Sequence, residues 1–331
     1  MRTYVIRRLL SGVLIMIILS LVVFILLRIL AGNQAALHCG FNCTPAGIKS
    51  AEHTLGLDKP YFPIEAGRGA PFVSLHADNQ YLTWLKDLAT GHLGNATVNQ
   101  KPILETMRHR LPVTLELLII TIMFTIAIGI PFGVISALYR NSAADFTVRL
   151  AAVLGLAVPA FWVGTLVIFI PSQLWHYSPP FGRSISFFND PIGNLQQFVP
   201  PAAVLALGSA AGIMRLSRSS LLEVMRTDYI RTARAKGMRE TLVVSRHALK
   251  NSMIPVITVL GLQIAGLLGG SVIIEQIFAL PGLGKMIFEA LLSRDYQIVQ
   301  SMTLYVGAVV ILMNLLVDIS YAWLDPRIRY S

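Results

Sequence analysis

The sequence predicts an all-helical integral membrane protein with six transmembrane helices and with both termini in the cytoplasm. Three observations lead to this fold class: the apolar composition, six long apolar runs and an uneven distribution of basic residues. Of the 331 residues, 54% are hydrophobic and 13% are charged, about half of the charged fraction of a soluble domain. This composition excludes disordered and fibrous proteins and argues against an ordinary soluble enzyme.

The apolar runs define the six spans. A helix needs about 20 apolar residues to cross the hydrocarbon core of a bilayer. We place the spans at 9–31, 113–138, 147–172, 198–220, 254–277 and 299–322. The first run follows three arginines, as a signal peptide would, but it is longer than the roughly 7–15 apolar residues of a signal sequence. We therefore expect an uncleaved first span.

The basic residues set the orientation of these spans. With the N-terminus inside, 16 of the 27 Lys and Arg residues but only 5 of the 17 acidic residues fall in cytoplasmic segments or at the cytoplasmic ends of the spans. Cytoplasmic loops of membrane proteins carry such an excess of Lys and Arg. The distribution predicts an N-in, C-in topology. It also accounts for the net charge of +10, so nucleic acid is not an expected partner.

The chain divides into three expected segments. Residues 1–31 form the N-terminal tail and the first span, residues 32–110 an extracytoplasmic loop or subdomain, and residues 111–331 a core of five helices. The outer loop is too long for a simple connector. Within it, apolar residues from Tyr81 to Leu88 recur at helical spacing and Gly91 ends the helix. That helix either packs on the body of the protein or docks an external partner.

The two cysteines lie close together in the outer loop. Cys39 and Cys43 lie in the string HCGFNC, in which His38 directly precedes the first cysteine. In an oxidising compartment such a pair can form a disulfide. Free thiols and a metal site that includes His38 are the alternatives, but three ligands in one short loop are a weak metal signal, and we expect no metal.

Small residues and polar residues mark the faces of several spans. Pairs of glycines four residues apart place small residues on one helix face, which permits close helix packing in lipid: Gly129 and Gly133, Gly208 and Gly212, Gly266 and Gly270. The fifth span also carries a file of polar side chains, Gln263, Ser271 and Glu275. We expect part of this file to face a translocation path.

The cytoplasmic segment 221–253 has an unusual local pattern. Asp228 is suited to cap a short helix over 229–236. Gly237 then stands where a helix ends in a left-handed residue, and a second helix follows over 239–249. Two helices joined at a fixed glycine indicate a rigid surface that contacts another protein. A solvated basic loop that only obeys the orientation rule is the alternative.

Within this segment, three stretches form a longer motif: Asp228–Gly237, His247–Asn251 and Ile254-Pro255. The motif resembles the EAA loop of permease subunits of binding-protein-dependent ABC importers, in their dipeptide/oligopeptide branch. Arg231 and Thr232 stand where the general pattern has Glu and Ala, while Ala233 and Gly237 match it. These departures are typical of the peptide branch.

The resemblance extends over nearly the whole chain. Shorter similar stretches are Leu55–Pro60, Gln80–Leu85, Gly91–Gly94, Leu111–Glu116, Glu275–Phe278, Pro281–Gly284 and Asp325–Arg329. Two regions depart from the family: Ala31-Gly32-Asn33-Gln34 replaces its usual Pro-Gly-Asp-Pro, and residues 64–79 look inserted. Both departures are extracytoplasmic, so they bear on substrate delivery rather than on the fold.

The resemblance implies a type I ABC importer permease (MetI-like) fold and a transport function for di- or oligopeptides. It implies three kinds of protein partner: a second homologous permease subunit, two cytoplasmic ATP-binding subunits and an extracytoplasmic peptide-binding protein. The residues that would contact an ATP-binding subunit are Asp228, Tyr229, Arg231, Thr232, Ala233, Arg234, Ala235, Lys236, Gly237, His247 and Leu249. The expected location is the plasma (inner) membrane of a bacterium or archaeon.

The cargo and the energy source are considered separately, because relatives in this branch differ in cargo and the chain needs a source of ATP hydrolysis. Relatives in this branch carry nickel, glutathione or oligosaccharides, so these are alternative cargoes. The stretch before Lys285 is not a phosphate-binding loop, because Ala279 and Met286 occupy positions that need Gly and Ser or Thr. We therefore expect no catalytic residues and no cofactor in this chain, with ATP and Mg bound by the partner subunits. A secondary transporter that works without ATPases is the alternative class.

Overall fold

A computed structural model gives the structure of the chain. It describes residues 2–30, 35, 44–54, 58–62, 64–66, 73–75, 78–97, 100–177, 180 and 182–324. Cys39 and Cys43 lie outside the described residues, and so does the C-terminal stretch from Asp325. The structural statements below concern the described residues alone.

The first, second and last predicted spans are single long helices. They are α1 (Arg2–Leu30), α4 (Ile103–Leu138) and α12 (Tyr296–Leu324). The fourth span is α7 (Pro191–Val224), which begins earlier than predicted because Pro191 opens it and the Asp190 side chain accepts a hydrogen bond from the Gly193 N–H. Four described helices are long and apolar enough to cross a membrane, and the number rises to six if each of two bent pairs is one span.

The third span is broken, whereas the sequence predicted one span over 147–172 with no more than a kink at Pro159. The helices α5 (Ala143–Ala157) and α6 (Ala160–Trp175) meet at 97°. Pro159 favours the break, because the helical region is disfavoured for a residue that precedes proline, and Val158 has the extended ψ of 124°. Pro159 therefore ends one helix and precedes the next, rather than bending a single one.

The fifth span continues from the cytoplasmic segment without a break in helical structure. It contains α9 (Glu240–Leu242), a π-helical stretch (Val243–Ala248) and α10 (Leu249–Ile277). The sequence predicted a separate short helix over 239–249 followed by a span that starts near residue 254. In the structure the two are one helical path, which bends by 50° between the segments Glu240–Ile264 and Gly266–Ile277.

The residues form two compact units, which we describe one at a time. Unit 1 contains Met1–Leu10, Leu111–Lys285 and Val309–Ser331; unit 2 contains Ser11–Arg110 and Met286–Ala308. The core of unit 1 includes Leu117 of α4, Phe198 of α7 and Phe278 after α10. The three-part division expected at residues 31 and 110 follows membrane topology and stays a prediction.

Close packing at glycines joins two helices of unit 1. A Cβ atom added at Gly129 of α4 would lie 2.7 Å from the Ile213 side chain, and one at Gly133 would lie 2.6 Å from the Met214 carbonyl oxygen of α7. Small residues therefore bring these helices together, as predicted. Gly266 differs, because a Cβ atom there would meet nothing within 4 Å.

Unit 2 contains the short elements of the outer loop: α2 (Pro45–Thr54), β1 (Ile64–Ala66), β2 (Val73–Leu75) and α3 (Gln80–Ala89). The two strands pair antiparallel, with Ile64 opposite Leu75. This ribbon falls in the stretch that departs from the family pattern, and it is the one sheet among the described residues of an otherwise mostly helical fold. A helix Leu283–Leu292, α11, follows α10.

The predicted outer helix packs on the first span. Tyr81 of α3 is buried, and its ring centroid lies 5.3 Å from that of Phe24 in α1. Its hydroxyl lies 2.8 Å from the Ser20 hydroxyl. Trp84 stacks on the same Phe24 ring, with centroids 5.8 Å apart. The aromatic residues of this helix thus serve packing, which is the first of the two predicted roles.

Candidate functional site

The helix-pair segment, residues 228–249, lies between α7 and α10. Its first helix, α8 (Asp228–Ala235), starts directly after the turn that ends α7. The predicted cap residue is displaced by one: Thr227 occupies the N-cap position and makes no side-chain bond to the helix, while its hydroxyl donates to the Val224 carbonyl at 2.6 Å. Asp228 is the first helical residue, where its negative charge suits the positive end of the helix dipole.

Gly237 ends this helix as predicted. Its φ of +77° lies in the left-handed region, and a Cβ atom there would meet nothing within 4 Å. The Gly237 N–H donates to the Arg234 carbonyl at 2.9 Å, and the Met238 N–H donates to the Ala233 carbonyl at 3.4 Å. The chain needs a residue without Cβ here because of backbone conformation and not because of crowding.

A small apolar core fixes α8 against the neighbouring helices. Ile230 is fully buried with Ala137 of α4, Leu221 of α7, and Val243 and Ala248 of the π-helical stretch. This one side chain therefore contacts residues from both sides of the segment. Ile230 was not among the predicted site residues, although it is the one large aliphatic side chain in the helix DYIRTARA.

Two polar contacts hold the pair together across the Gly237 turn. Arg234 donates two hydrogen bonds to the Glu240 carboxylate, at 2.6 and 3.0 Å. These bonds raise the pKa of the Arg234 guanidinium further above its usual value, so the pair stays charged. The Asn251 side-chain amide donates to the Tyr229 hydroxyl at 2.8 Å. The segment is thus braced from within as well as packed on the helices that flank it.

The predicted contact residues fall mostly on the free face of this segment. Eight of them are exposed: Asp228, Tyr229, Arg231, Thr232, Arg234, Ala235, Lys236 and Gly237. The other three, Ala233, His247 and Leu249, are partly buried. The structure therefore brings the predicted residues of α8 together on one basic, solvent-facing surface with a tyrosine at its edge. It places His247 and Leu249 on the helical path that leads into α10.

The π-helical stretch is a feature that the sequence did not indicate. It occupies Val243–Ala248, between the helix-pair turn and the fifth span, and it includes His247. Single π-helical turns inside α-helices occur often at functional sites, because the extra residue shifts the side chains on either side. Here the π-helical stretch lies where Ile230 of α8 is buried with Val243 and Ala248 of the helical path.

The three polar residues of the fifth span differ in their surroundings. Gln263 is partly buried beside Gly212, where a Cβ atom would lie 3.4 Å from its amide nitrogen. Ser271 is buried, and its hydroxyl donates to the Leu268 carbonyl at 2.9 Å. Glu275 is buried as well. A path-facing role for this file stays a prediction.

Glu275 anchors the turn that follows α10. One carboxylate oxygen accepts a hydrogen bond from the Thr114 hydroxyl at 2.8 Å, and the other accepts from the Lys285 N–H at 2.9 Å. The Thr114 oxygen in turn accepts from the Leu283 N–H at 2.8 Å. The carboxylate and the hydroxyl together satisfy backbone N–H groups at the start of α11, which a helix cannot bond internally.

The described residues contain no group of three or more His, Cys, Asp or Glu side chains that could hold a metal ion. The two cysteines lie outside those residues, so their pairing stays a prediction.

Comparisons with known proteins agree with the resemblance seen in the sequence. Residues 129–330 match the family described as binding-protein-dependent transport system inner membrane component, and residues 1–118 match the family of its N-terminal region. The chain is 37% identical to the dipeptide transport system permease protein DppB of Alkalihalophilus pseudofirmus. It is 35% identical to the oligopeptide transport system permease protein AppB of Bacillus subtilis. Each alignment covers all of both chains.

A solved structure has a similar fold. A chain of the inward-facing MetNI methionine ABC transporter superposes with a TM-score of 0.56 at 18% identity, over 68% of this chain and 98% of that chain. This similarity supports the predicted MetI-like fold. The full-length relatives are transport permeases and not enzymes. The chain belongs to the family of binding-protein-dependent transport system inner membrane components and is an integral protein of the cell membrane.

Proposed function

We propose that this chain is the permease subunit of an ABC importer for di- and oligopeptides. It forms half of the translocation pathway with a second homologous permease subunit. Two cytoplasmic subunits bind ATP and Mg, and an extracytoplasmic binding protein delivers the peptide. The peptide cargo is supported by full-length relatives named for dipeptide and oligopeptide transport. The proposed location is the plasma or inner membrane of a bacterium or archaeon.

The observation that carries this proposal is the rigid, exposed helix pair between two spans. Its free face presents Arg231, Arg234 and Lys236, while Ile230 ties its buried face to α4, α7 and the helical path into α10. A loop that only reverses the chain needs neither an internal ion pair nor a buried apolar anchor. A force applied to α8 by a partner would reach the spans through these contacts.

Replacement of Gly237 by valine tests this role. A left-handed conformation costs an L-residue about 1–2 kcal/mol, and a β-branched side chain costs more, so Gly237→Val should turn the second helix away from the first. We expect the purified Gly237→Val permease to lose co-purification of the ATP-binding subunits or to lose peptide-stimulated ATP hydrolysis. Membrane insertion should remain, because it depends on the apolar spans.

The matched control is Gly91→Val. Gly91 follows α3 on the predicted outer side, has a φ of +79° and would also meet nothing within 4 Å. Its replacement imposes similar backbone strain away from the helix pair, so the ATP-binding subunits should still co-purify. Equal uptake and equal ATP hydrolysis in Gly237→Val and wild type, at equal expression, would show that the segment is only a basic connector.

The cargo and the energy source need a separate measurement. We expect proteoliposomes that contain the full complex and the binding protein to accumulate labelled dipeptide only when ATP is supplied to the ATP-binding subunits. Excess unlabelled dipeptide should compete, whereas nickel, glutathione and oligosaccharide should not. Uptake that persists without ATP would favour a secondary transporter, and competition by one of the other solutes would replace peptide as the cargo.

A further inference from the structure

A buried carboxylate joins three helices of unit 1 near the helix-pair segment. Asp145, in the first turn of α5, is fully buried. Arg218 of α7 donates to both of its oxygens, from Nε at 2.8 Å and from Nη2 at 3.0 Å. The Ser136 hydroxyl of α4 donates at 2.6 Å, and the Asn141 N–H donates at 3.0 Å. One side chain thus holds the predicted cytoplasmic ends of the second, third and fourth spans.

Stability alone does not require an ion pair at this place. A buried pair recovers little more than the cost of removing both charges from water, and apolar residues of similar volume often replace such pairs without loss. An apolar cluster does not fix the angle at which two side chains meet. A guanidinium that binds both oxygens of a carboxylate fixes the angle as well as the distance between the two groups, so the Asp145–Arg218 pair sets how α5 and α7 meet.

The same three helices are also in close contact at other points along their length. Gly129 and Gly133 bring α4 against α7, and a Cβ atom added at Gly155 of α5 would lie 3.2 Å from the Leu207 carbonyl oxygen of α7. Packing of this kind resists separation but permits sliding along the helix axes. The bidentate ion pair opposes such sliding at the end that lies near α8.

The helix-pair segment adjoins the helix ends that Asp145 joins. Arg218 and Leu221 lie in the last two turns of α7, and α8 begins after a turn of three residues. Ile230 of α8 belongs to the same buried cluster as Leu221 and Ala137, and Ala137 is the neighbour of Ser136 in α4. A displacement of α8 therefore reaches, through this cluster, the segments of α4 and α7 that Asp145 binds as well as the π-helical stretch.

We propose that Asp145 is a positioning residue for transport, which through Arg218 and Ser136 makes the ends of α4, α5 and α7 move as one body with α8. A displacement of α8 by an ATP-binding subunit then reaches three spans together instead of being lost as sliding between helices. This inference rests on the proposed function. In this role Asp145 affects how efficiently ATP hydrolysis is coupled to peptide import, and it binds neither ATP nor peptide.

The test compares two residues that contact the same carboxylate. In proteoliposomes with the full complex and binding protein, peptide imported and ATP hydrolysed are measured together. Asp145→Asn keeps the side-chain shape but loses the charge and one acceptor, and we expect import per ATP to fall about tenfold, within the usual range of coupling factors. Arg149 approaches Asp145 at 3.4 Å from the exposed side. Arg149→Gln should change import per ATP less than about twofold.

Two further variants cover the case in which Asp145→Asn fails to assemble. Arg218→Lys keeps the charge but not the two-pronged geometry, and we expect an intermediate fall in import per ATP. The double variant Asp145→Asn/Arg218→Gln leaves no unpaired charge buried, so it should assemble and yet couple poorly. Its melting temperature is measured beside the two rates, because a purely structural brace would lower stability and both rates together.

The possible results separate the two proposals. Import per ATP at the wild-type value in Arg218→Lys and in the double variant would overturn the positioning role, whatever happens to stability. A wild-type complex whose ATP hydrolysis does not respond to the binding protein would instead overturn the proposed function. Uncoupled hydrolysis in the assembled double variant, with normal coupling in Arg149→Gln, would support the inference.

Discussion

Among the described residues of unit 1, two carboxylates are fully buried, and the chain holds them in opposite ways. Asp145 is bound by a guanidinium from another helix, at 2.8 and 3.0 Å. Glu275 is bound by a hydroxyl and by the main-chain N–H of Lys285. The first arrangement is a pair of opposite charges, and the second is a carboxyl group among neutral donors.

The difference shows what each carboxylate does for the fold. The side-chain partners of Asp145 lie on α4, α5 and α7, so its bonds connect helices. Glu275 binds a backbone N–H only ten residues ahead, and Thr114 lies on the far side of the same turn. Its bonds therefore shape one turn. We expect the helix joint to depend on charge balance and the turn to depend on space and hydrogen-bond direction.

The largest effect should follow removal of the charge partner. Arg218→Met keeps a side chain of similar length but leaves Asp145 with the half-exposed Arg149 as the one remaining cation among its described ion-pair partners. Breaking a buried pair from one side costs about 3–5 kcal/mol, and we expect the free energy of unfolding to fall by about 3 kcal/mol. Unfolding of the purified chain in detergent micelles measures it. Asp145→Asn/Arg218→Met should recover at least half of the loss, and an equal loss in both variants would contradict the charge-balance account.

The turn should be most sensitive to added volume. A Cβ atom at Gly282 would collide with a Glu275 carboxylate oxygen and would lie 2.7 Å from the Thr114 hydroxyl oxygen. Overpacking a filled site costs roughly 1–3 kcal/mol, and we expect about 2 kcal/mol for Gly282→Ala in the same unfolding measurement. Gly266→Ala is the control, because nothing lies within 4 Å of the added atom. If both variants are as stable as wild type, the turn has room that the structure does not show.

A smaller effect should follow neutralisation of the turn carboxylate. Glu275→Gln keeps an oxygen that can accept the Thr114 hydroxyl, but it places an NH₂ group against the Lys285 N–H. The loss is then one hydrogen bond, with a donor left unpaired, and we expect about 1–2 kcal/mol. The informative quantity is the difference between this loss of unfolding free energy and the loss for Arg218→Met. A Glu275→Gln loss as large as that of Arg218→Met would mean that charge matters at the turn as well.

Local rules were sufficient for much of this fold. The six spans follow from length and hydropathy, and Gly237 follows from the position of a helix end. Gly129 and Gly133 follow from their spacing, because residues four apart share a helix face. Each of these predictions uses residues that are neighbours in the sequence. The break at Pro159 was predicted only as a proline effect, and its size of 97° depends on how α6 packs after the break.

The two carboxylates show why the rest could not be predicted. Asp145 and Arg218 are 73 residues apart, and Thr114 and Glu275 are 161 apart. A pattern in the sequence cannot tell which of the many cytoplasmic arginines meets Asp145, because that depends on helix rotation and register. The β ribbon was missed for another reason: strands of three residues are too short to show alternation.

The smallest effect should come from the second arginine at Asp145, and it sharpens the comparison most directly. Arg149 lies one turn after Asp145 on the same helix, 3.4 Å from it, with about half of its side chain exposed (51%). Exposed pairs four residues apart on a helix contribute roughly 0.3–0.5 kcal/mol and weaken with salt. Arg149→Gln should therefore lower the free energy of unfolding by less than about 0.5 kcal/mol, and the difference should vanish at high salt. Arg218→Met should keep most of its effect at high salt, because buried charges are poorly screened. Two arginines on one carboxylate would then differ severalfold in effect, because Arg218 is more deeply buried and binds both oxygens. Equal losses at both positions would mean that the charge of Asp145 is shared between them.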